Sequence, residues 1–168
     1  VPAVGDFNIG WLYIPLFIAV VVSTANAVNI TDGLDGLSGG LLSTAFSIFG
    51  VIAYFQGSYG IAGFCMTLVG VLLTYTWFSI YPIRFFMGDS GSFAFGTTLG
   101  VIAMLTNSVF VLPIIAAVFV AEAGSSVIQI LSKKFLGRKV FISAPLHHHL
   151  EAIGWPETKV TMRLWVIG

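Results

Sequence analysis

Residues 26–40 read NAVNITDGLDGLSGG, and this stretch decides how the chain is organised. It closes a run of 19 mostly apolar residues, Trp11 to Asn29, with two amides, a threonine, two carboxylates and several glycines. A run of that length and composition is what a helix needs to cross a bilayer, so the stretch marks where the chain leaves the membrane. Asp32 and Asp35 stand three residues apart. If the helix continues they share one side of it; if the glycines unwind it they sit on a tight polar loop. Either way two acids are held close together at a membrane surface, and a hard divalent cation or a basic partner is the usual remedy for their repulsion.

Composition supports the membrane reading. Of 168 residues, 57% are hydrophobic and 8% charged, with a mean hydropathy of +0.99, against about 25% charged in a soluble domain. The chain reads as an integral membrane protein. Net charge is zero and no basic patch suits a phosphate backbone, which excludes a nucleic-acid partner. Cys65 is the sole cysteine, so no disulfide forms within the chain. The chain opens at Val1 without an initiator methionine or signal pattern and closes at Gly168 a few residues into an apolar run. Both ends read as cuts, with residues 1–168 a single membrane domain.

The spans follow from the polar interruptions. Residues 1–10 form a short polar approach broken by Pro2, Gly5 and Gly10, and Trp11 opens the first span at a membrane interface. Gly36 to Ile83 contains no charge and holds two spans, turning at Gln56, Gly57, Ser58 and Gly60 and ending at Tyr81-Pro82. A second polar cluster, Arg84 to Gly91, precedes a fourth span, which turns at Thr106-Asn107-Ser108. The fifth is expected from Val109 to about Ser132, with Pro113 and the intramembrane acid Glu122 inside it. Residues 133–159 form a basic and histidine-bearing loop segment, and a sixth span begins after Arg163. The expected fold is thus an all-α polytopic transmembrane bundle. With antiparallel spans, every Lys and Arg falls on or beside the side that carries loops 30–39, 83–90 and 133–159, which the positive-inside rule makes cytoplasmic. Asp32, Asp35, Asp89 and the three histidines collect on that side.

Each cluster has a plain reading beside a functional one. Asp32 and Asp35 serve helix capping and turns, or function, as carboxylates at a membrane face often do; the spacing of a calcium-binding EF-hand loop is absent. Asp89 in FMGDSGS, residues 86–92, is an N-cap, or an oxygen donor to Mg²⁺ beside a helix start that attracts phosphate. Phe86 stacks on a nucleobase or anchors at the interface. His147, His148 and His149 diverge too far to bind one metal; with the basic residues upstream they make an anion site or a surface that attracts lipid headgroups. Glu122 reads as an acid paired with a neighbouring helix rather than a transport site. Gly60, Gly63, Gly70, Gly96 and Gly100 indicate close helix packing. Together the clusters suit a phosphorylated, nucleotide-like substrate, since phosphoryl transfer asks mainly for positioning and charge stabilisation, and the membrane setting suggests a lipid acceptor.

NAVNITDGLDGL, FMGDSGS and APLHHHLEAIGWPE, in this order and separated by spans, resemble the bacterial phospho-N-acetylmuramoyl-pentapeptide transferases, the MraY family, through nearly the whole chain. The first two motifs also suit the wider polyprenyl-phosphate N-acetylhexosamine-1-phosphate transferases, whereas HHHLE followed by GWPE points to the narrower family. The resemblance implies the second half of a ten-helix enzyme of the bacterial inner membrane, its site facing the cytoplasm. Such enzymes move phospho-MurNAc-pentapeptide from its UDP carrier to undecaprenyl phosphate, giving lipid I and UMP with Mg²⁺ in peptidoglycan synthesis. It further implies that Asp89 binds Mg²⁺, that Asp32 and Asp35 line the cleft, and that His147, His148 and His149 close it, these six being the implied catalytic residues. Phe86 would stack on uracil, Gly33 and Leu34 would lie beside the nucleoside, and Asn26 and Asn29 would support the loop. Partners implied are the two substrates, the bilayer, the missing N-terminal half and a second copy of the chain. Leu150 replaces the aromatic usual after the histidines. The paired-aspartate motif with the proposed general base belongs to the absent half, so this segment alone is expected to be inactive. A UDP-GlcNAc-using relative is the alternative, ahead of a transporter or a structural subunit.

Overall fold

The computed structural model describes residues 10–168; the polar approach at residues 1–9 lies outside the described residues. After a single 3-10 turn at Gly10–Leu12, the helices are α1 (Tyr13–Thr31), α2 (Leu37–Phe55), α3 (Tyr59–Ser79), α4 (Gly88–Leu105), α5 (Leu112–Ile115), α6 (Ala117–Leu136), α7 (Leu146–Ala152) and α8 (Glu157–Ile167). No strand occurs among the described residues, and the all-α membrane bundle is the observed architecture. Three segments, Gly10–Thr31, Leu37–Phe55 and Tyr59–Ser79, are long and apolar enough to cross a membrane. Helices α4 and α6 have spanning length, 18 and 20 residues. Their apolar character is diluted by Asp89, glycines and threonines in one, and by Glu122, Ser125, Gln129 and two lysines in the other.

Small residues set the two closest helix pairs. Gly96 and Gly100 let α4 lie antiparallel on α1, since a Cβ on Gly96 would stand 2.7 Å from Ala25 Cα and 2.8 Å from the Thr24 carbonyl oxygen. Gly50 does the same for α2 against Ala62 and Cys65 of α3. Gly60, Gly63 and Gly70 do not follow the expectation of close packing: nothing among the described residues lies within 4 Å of a Cβ built on any of them. They face outward on α3, where glycine spacing carries no packing constraint. The core between these helices holds Val28, Leu37, Leu42, Phe46, Phe49, Leu72, Leu99 and Phe119.

The fifth span departs from the expected continuous helix. The chain breaks at Ala116 (φ −102°, ψ 30°) into the short α5 and the longer α6. Pro113 sits in the first turn of α5, where its missing N–H is not needed. Helix α6 runs past Ser132 to Leu136 and stops at Gly137, whose φ of +63° makes it a left-handed C-terminal cap. The helix expected as the start of a sixth span, α8, likewise begins earlier than after Arg163. Pro156 closes the preceding loop and Glu157 supplies an acid to the first turn of α8, the arrangement that favours a helix start.

Turns join the elements at both ends. Gln56 Nε2 donates to the Thr106 carbonyl at 2.9 Å, tying the α2–α3 turn to the α4–α5 turn. At the opposite end the segments after α1, α3 and α6 meet.

Candidate active site

The last turn of α1 begins the site. Asn29 Nδ2 donates to Asp89 Oδ1 at 2.9 Å and to Ser92 Oγ at 3.0 Å, a reach made short by the glycine contact between α1 and α4. Asp32 caps α1 with its backbone N–H on the Val28 carbonyl at 3.1 Å. Its carboxylate accepts the Ser38 hydroxyl from the start of α2. Burial pushes the Asp32 carboxyl above the usual range; the Ser38 hydrogen bond opposes this, and the charge of Asp89 adds to it.

Asp35 does different work. Its Oδ2 accepts the Ile83 N–H at 3.2 Å, its own N–H donates to Glu157 Oε1 at 2.8 Å, and its carbonyl accepts the Thr161 hydroxyl at 3.4 Å. The carboxylate thus fastens the α1–α2 loop to the segment before α4, while its backbone is held by α8. Of the two local readings, the tight loop is the one observed: the turn through Gly33 and Leu34 gives Asp32 and Asp35 different hydrogen-bond partners. Gly36, at φ +71°, then lets the chain enter α2.

Phe86 is 63% exposed, whereas its neighbour Phe85 is held edge-on by Tyr75 at 5.5 Å. Gly88, at φ +67°, turns the chain between Phe86 and Asp89. The three histidines have different hydrogen-bond partners, but they do not all diverge as expected: the His147 and His148 rings lie 4.3 Å apart, centre to centre. His147 is buried and its Nδ1 lies 2.9 Å from Glu122 Oε2. His148 pairs with Glu151 on its own helix at 2.8 Å, and His149 Nδ1 accepts the Ile142 N–H at 3.3 Å. Of the three, His147 reaches the aspartate loop: its Nε2 lies 2.6 Å from where a Cβ on Gly33 would stand. Leu34 is buried. Asn26 is exposed and donates to the Val22 carbonyl at 2.8 Å on its own helix, whereas Asn29 is bonded to Asp89.

Several supporting residues escaped sequence reasoning. Ser38 lies within residues 26–40, Ser92 within FMGDSGS and Glu157 within APLHHHLEAIGWPE, but their residue types alone did not assign them these bonds. Glu122, Ser125, Gln129 and Ser132 do carry a pattern: their spacing of three, four and three residues makes one stripe on α6, and all four are buried. Gln129 accepts the Val140 and Phe141 N–H groups at 3.0 Å and donates to the Phe141 carbonyl at 2.8 Å; Ser132 donates to the Arg138 carbonyl at 2.7 Å. The stripe holds the segment that leads to the histidines.

No group of three His, Cys, Asp or Glu side chains among the described residues could hold a metal by itself. Asp89 and Asp32 still fit Mg²⁺, which is commonly held by one or two carboxylates together with waters and substrate phosphates. Their mutual repulsion is of the kind a cation relieves. Two cavities lie against α6. An apolar groove of about 450 Å³ runs between α1 and the α5–α6 segment, past Val20, Val28, Pro113, Phe119 and Val127. A polar one of about 320 Å³ lies between α6 and Lys139–Ala144.

The chain is similar to curated proteins named phospho-N-acetylmuramoyl-pentapeptide-transferase. It is 43% identical over 163 residues to that of Geobacillus thermodenitrificans, covering 97% of this chain and 50% of the relative. It is 40% identical over 180 residues to that of Methylacidiphilum infernorum, covering 98% and 49%. The chain spans about half the length of the curated relatives it matches. The sequence model described as glycosyl transferase family 4 matches residues 1–107, the part that contains Asn29, Asp32, Asp35 and Asp89, and the chain belongs to that family.

Proposed function

We propose that this chain is the part of a phospho-N-acetylmuramoyl-pentapeptide transferase that carries the acidic reaction cleft. The reaction moves phospho-MurNAc-pentapeptide from UDP-MurNAc-pentapeptide to undecaprenyl phosphate and yields lipid I and UMP. The observation that carries this reading is the bond by which Asn29, three residues before Asp32 at the end of α1, holds the Asp89 carboxylate at the start of α4. Asp89 and Asp32 would hold Mg²⁺, which when bound neutralises the diphosphate charge that builds up in such a transfer. Asn29 orients the Asp89 carboxylate, Ser38 holds that of Asp32, and Phe86 offers an exposed ring for uracil. The apolar groove beside α1 suits a polyprenyl chain that enters from the bilayer. The cleft would face the cytoplasm of a bacterial inner membrane, on the side where the lysines and arginines gather.

The test is Mg²⁺-dependent UMP release by a full-length protein carrying this chain, in detergent with undecaprenyl phosphate. UDP-MurNAc-pentapeptide and UDP-GlcNAc are offered separately. Release from the muramoyl substrate alone, reduced at least ~100-fold in Asp89→Asn, is expected for loss of a metal-holding carboxylate. Release from UDP-GlcNAc alone would move the substrate to the GlcNAc-1-phosphate class. No release from either would overturn the reading.

A further inference from the structure

Glu122 lies in the interior of α6 without solvent exposure, and one of its oxygens serves a single residue twice. Oε2 accepts the backbone N–H of His147 at 3.2 Å and stands 2.9 Å from Nδ1 of the same residue. A carboxylate that accepts from Nδ1 places the proton of a neutral imidazole there and fixes the ring in one orientation. The opposite edge of the ring carries Nε2, which is buried, has no hydrogen-bond partner among the described residues and lies under Gly33. Glu122 Oε1 is buried and unpartnered as well. An apolar pair would fill the same space without leaving two polar atoms unpaired, a condition that native interiors rarely tolerate without a reason.

We propose that Glu122 is a positioning residue for the reaction cleft. It locks His147 beneath Gly33, and the ring sets the position of the loop that carries Asp32. The chain of contacts is short: Glu122 holds the ring by two hydrogen bonds, the ring abuts Gly33, and Asp32 is the next residue. Only glycine fits at position 33, because any Cβ would meet an imidazole that Glu122 prevents from withdrawing. Position 33 has a negative φ, so the constraint is this contact and not the backbone conformation. The part of the inference that concerns catalysis rests on the reading of Asp32 and Asp89 as the reaction cleft; the contact itself does not.

The experiment uses a full-length protein carrying this chain, purified in detergent, with Glu122→Gln, His147→Asn, Gly33→Ala and the pairs Gly33→Ala/His147→Asn and Glu122→Gln/His147→Asn. Asparagine keeps a donor where Nδ1 stands and deletes the edge that touches Gly33. Thermal midpoints read the contact without needing catalysis. Gly33→Ala lowers the midpoint in the parent, and His147→Asn removes most of that loss; additive midpoints would overturn the contact, since residues that touch are non-additive. For Glu122→Gln, kcat falls about 10- to 100-fold, the usual effect of losing a residue that orients a site histidine, while KM for the nucleotide substrate stays within about threefold. A kcat within about twofold of the parent, whatever the midpoint, would overturn the positioning role. If Glu122→Gln does not fold, Glu122→Asp, which withdraws the carboxylate by one methylene, is read in the same way. Absence of UMP release from the parent would overturn the proposed function and leave the midpoint cycle to decide the contact.

Discussion

Gly96→Ala tests the geometry that brings the two acids of the cleft together. Asp89, Ser92, Gly96 and Gly100 fall at intervals of three, four and four residues, so they share the face of α4 that meets α1. A methyl at position 96 would lie 2.7 Å from Ala25 Cα, 2.8 Å from the Thr24 carbonyl and 3.1 Å from Val28 Cβ. The first two are backbone atoms and cannot rotate aside. Carbon atoms pack at about 3.5–4.0 Å, so α4 must retreat by about 0.8 Å or more, at an overpacking cost of about 1–3 kcal/mol. Asp89 is two helical turns from Gly96 on the same face. If the retreat reaches it undamped, the Asn29–Asp89 bond of 2.9 Å opens to about 3.7 Å, beyond hydrogen-bond length. The thermal midpoint in detergent and UMP release should therefore fall together, the latter at least ~10-fold, the size of losing one orienting partner at a site. Gly63→Ala, where nothing stands within 4 Å, serves as control and should leave both unchanged. A Gly96→Ala protein as stable and active as the Gly63→Ala protein would refute the reasoning.

Three further outcomes are expected. Asp32→Asn should raise the thermal midpoint at pH 7 without Mg²⁺: the raised folded pKa means that this group's stabilisation is present below the ordinary carboxylate value of about 4 and is lost as pH rises through the folded value, while asparagine still accepts the Ser38 hydroxyl. A lower midpoint, or a pH dependence above 4 identical to the parent, would contradict it. Gln129→Leu removes the partners of three backbone groups at Val140 and Phe141; amide exchange there should accelerate and stability fall by about 1–2 kcal/mol, given partial access of water. Phe86→Ala should leave the midpoint unchanged, since the ring is largely exposed, and weaken UMP binding by calorimetry about 10-fold, within the usual worth of base–aromatic stacking; unchanged affinity would make Phe86 an interface anchor.

The spans and the convergence of three polar clusters were legible because both rest on strong one-dimensional signals: long uncharged runs and charges confined to their breaks. The break at Ala116 was not, since Pro113 marks a helix start as readily as a kink, and the residues around it are uniformly apolar. At the site, Asp32, Asp89 and the histidines could be picked out as candidates from residue type and spacing, whereas the contact between the His147 and His148 rings could not. The partners of Asp35 could not, because they are the Ile83 N–H and Glu157, the latter 122 positions away. Glycine illustrates the limit most clearly. Gly63 and Gly96 look alike in sequence, yet one faces open space and the other the backbone of α1; only the rotation of each helix about its axis separates them.

Equal numbers of acids and bases, seven of each, conceal two populations that do not neutralise one another. Among the described residues the ion pairs are His147–Glu122 and His148–Glu151; no lysine or arginine reaches an aspartate. Several bases lie over rings instead: Lys159 is 4.3 Å from the centre of Trp155, Lys134 is 5.7 Å from Phe135, and Arg84 is 5.9 Å from Phe78. A cation on an aromatic face at a membrane boundary contributes to depth and orientation, so these bases are engaged in placing the bundle. Asp32 and Asp89 are left to repel each other, with a hydroxyl on one and an amide on the other, and neither partner carries charge. Helix α4 does favour an anion at its start, but it acts on Asp89 alone, and the Ser38 hydrogen bond offsets only part of the burial of Asp32. A divalent cation delivered with a diphosphate, as proposed above, would balance the charge of this pair.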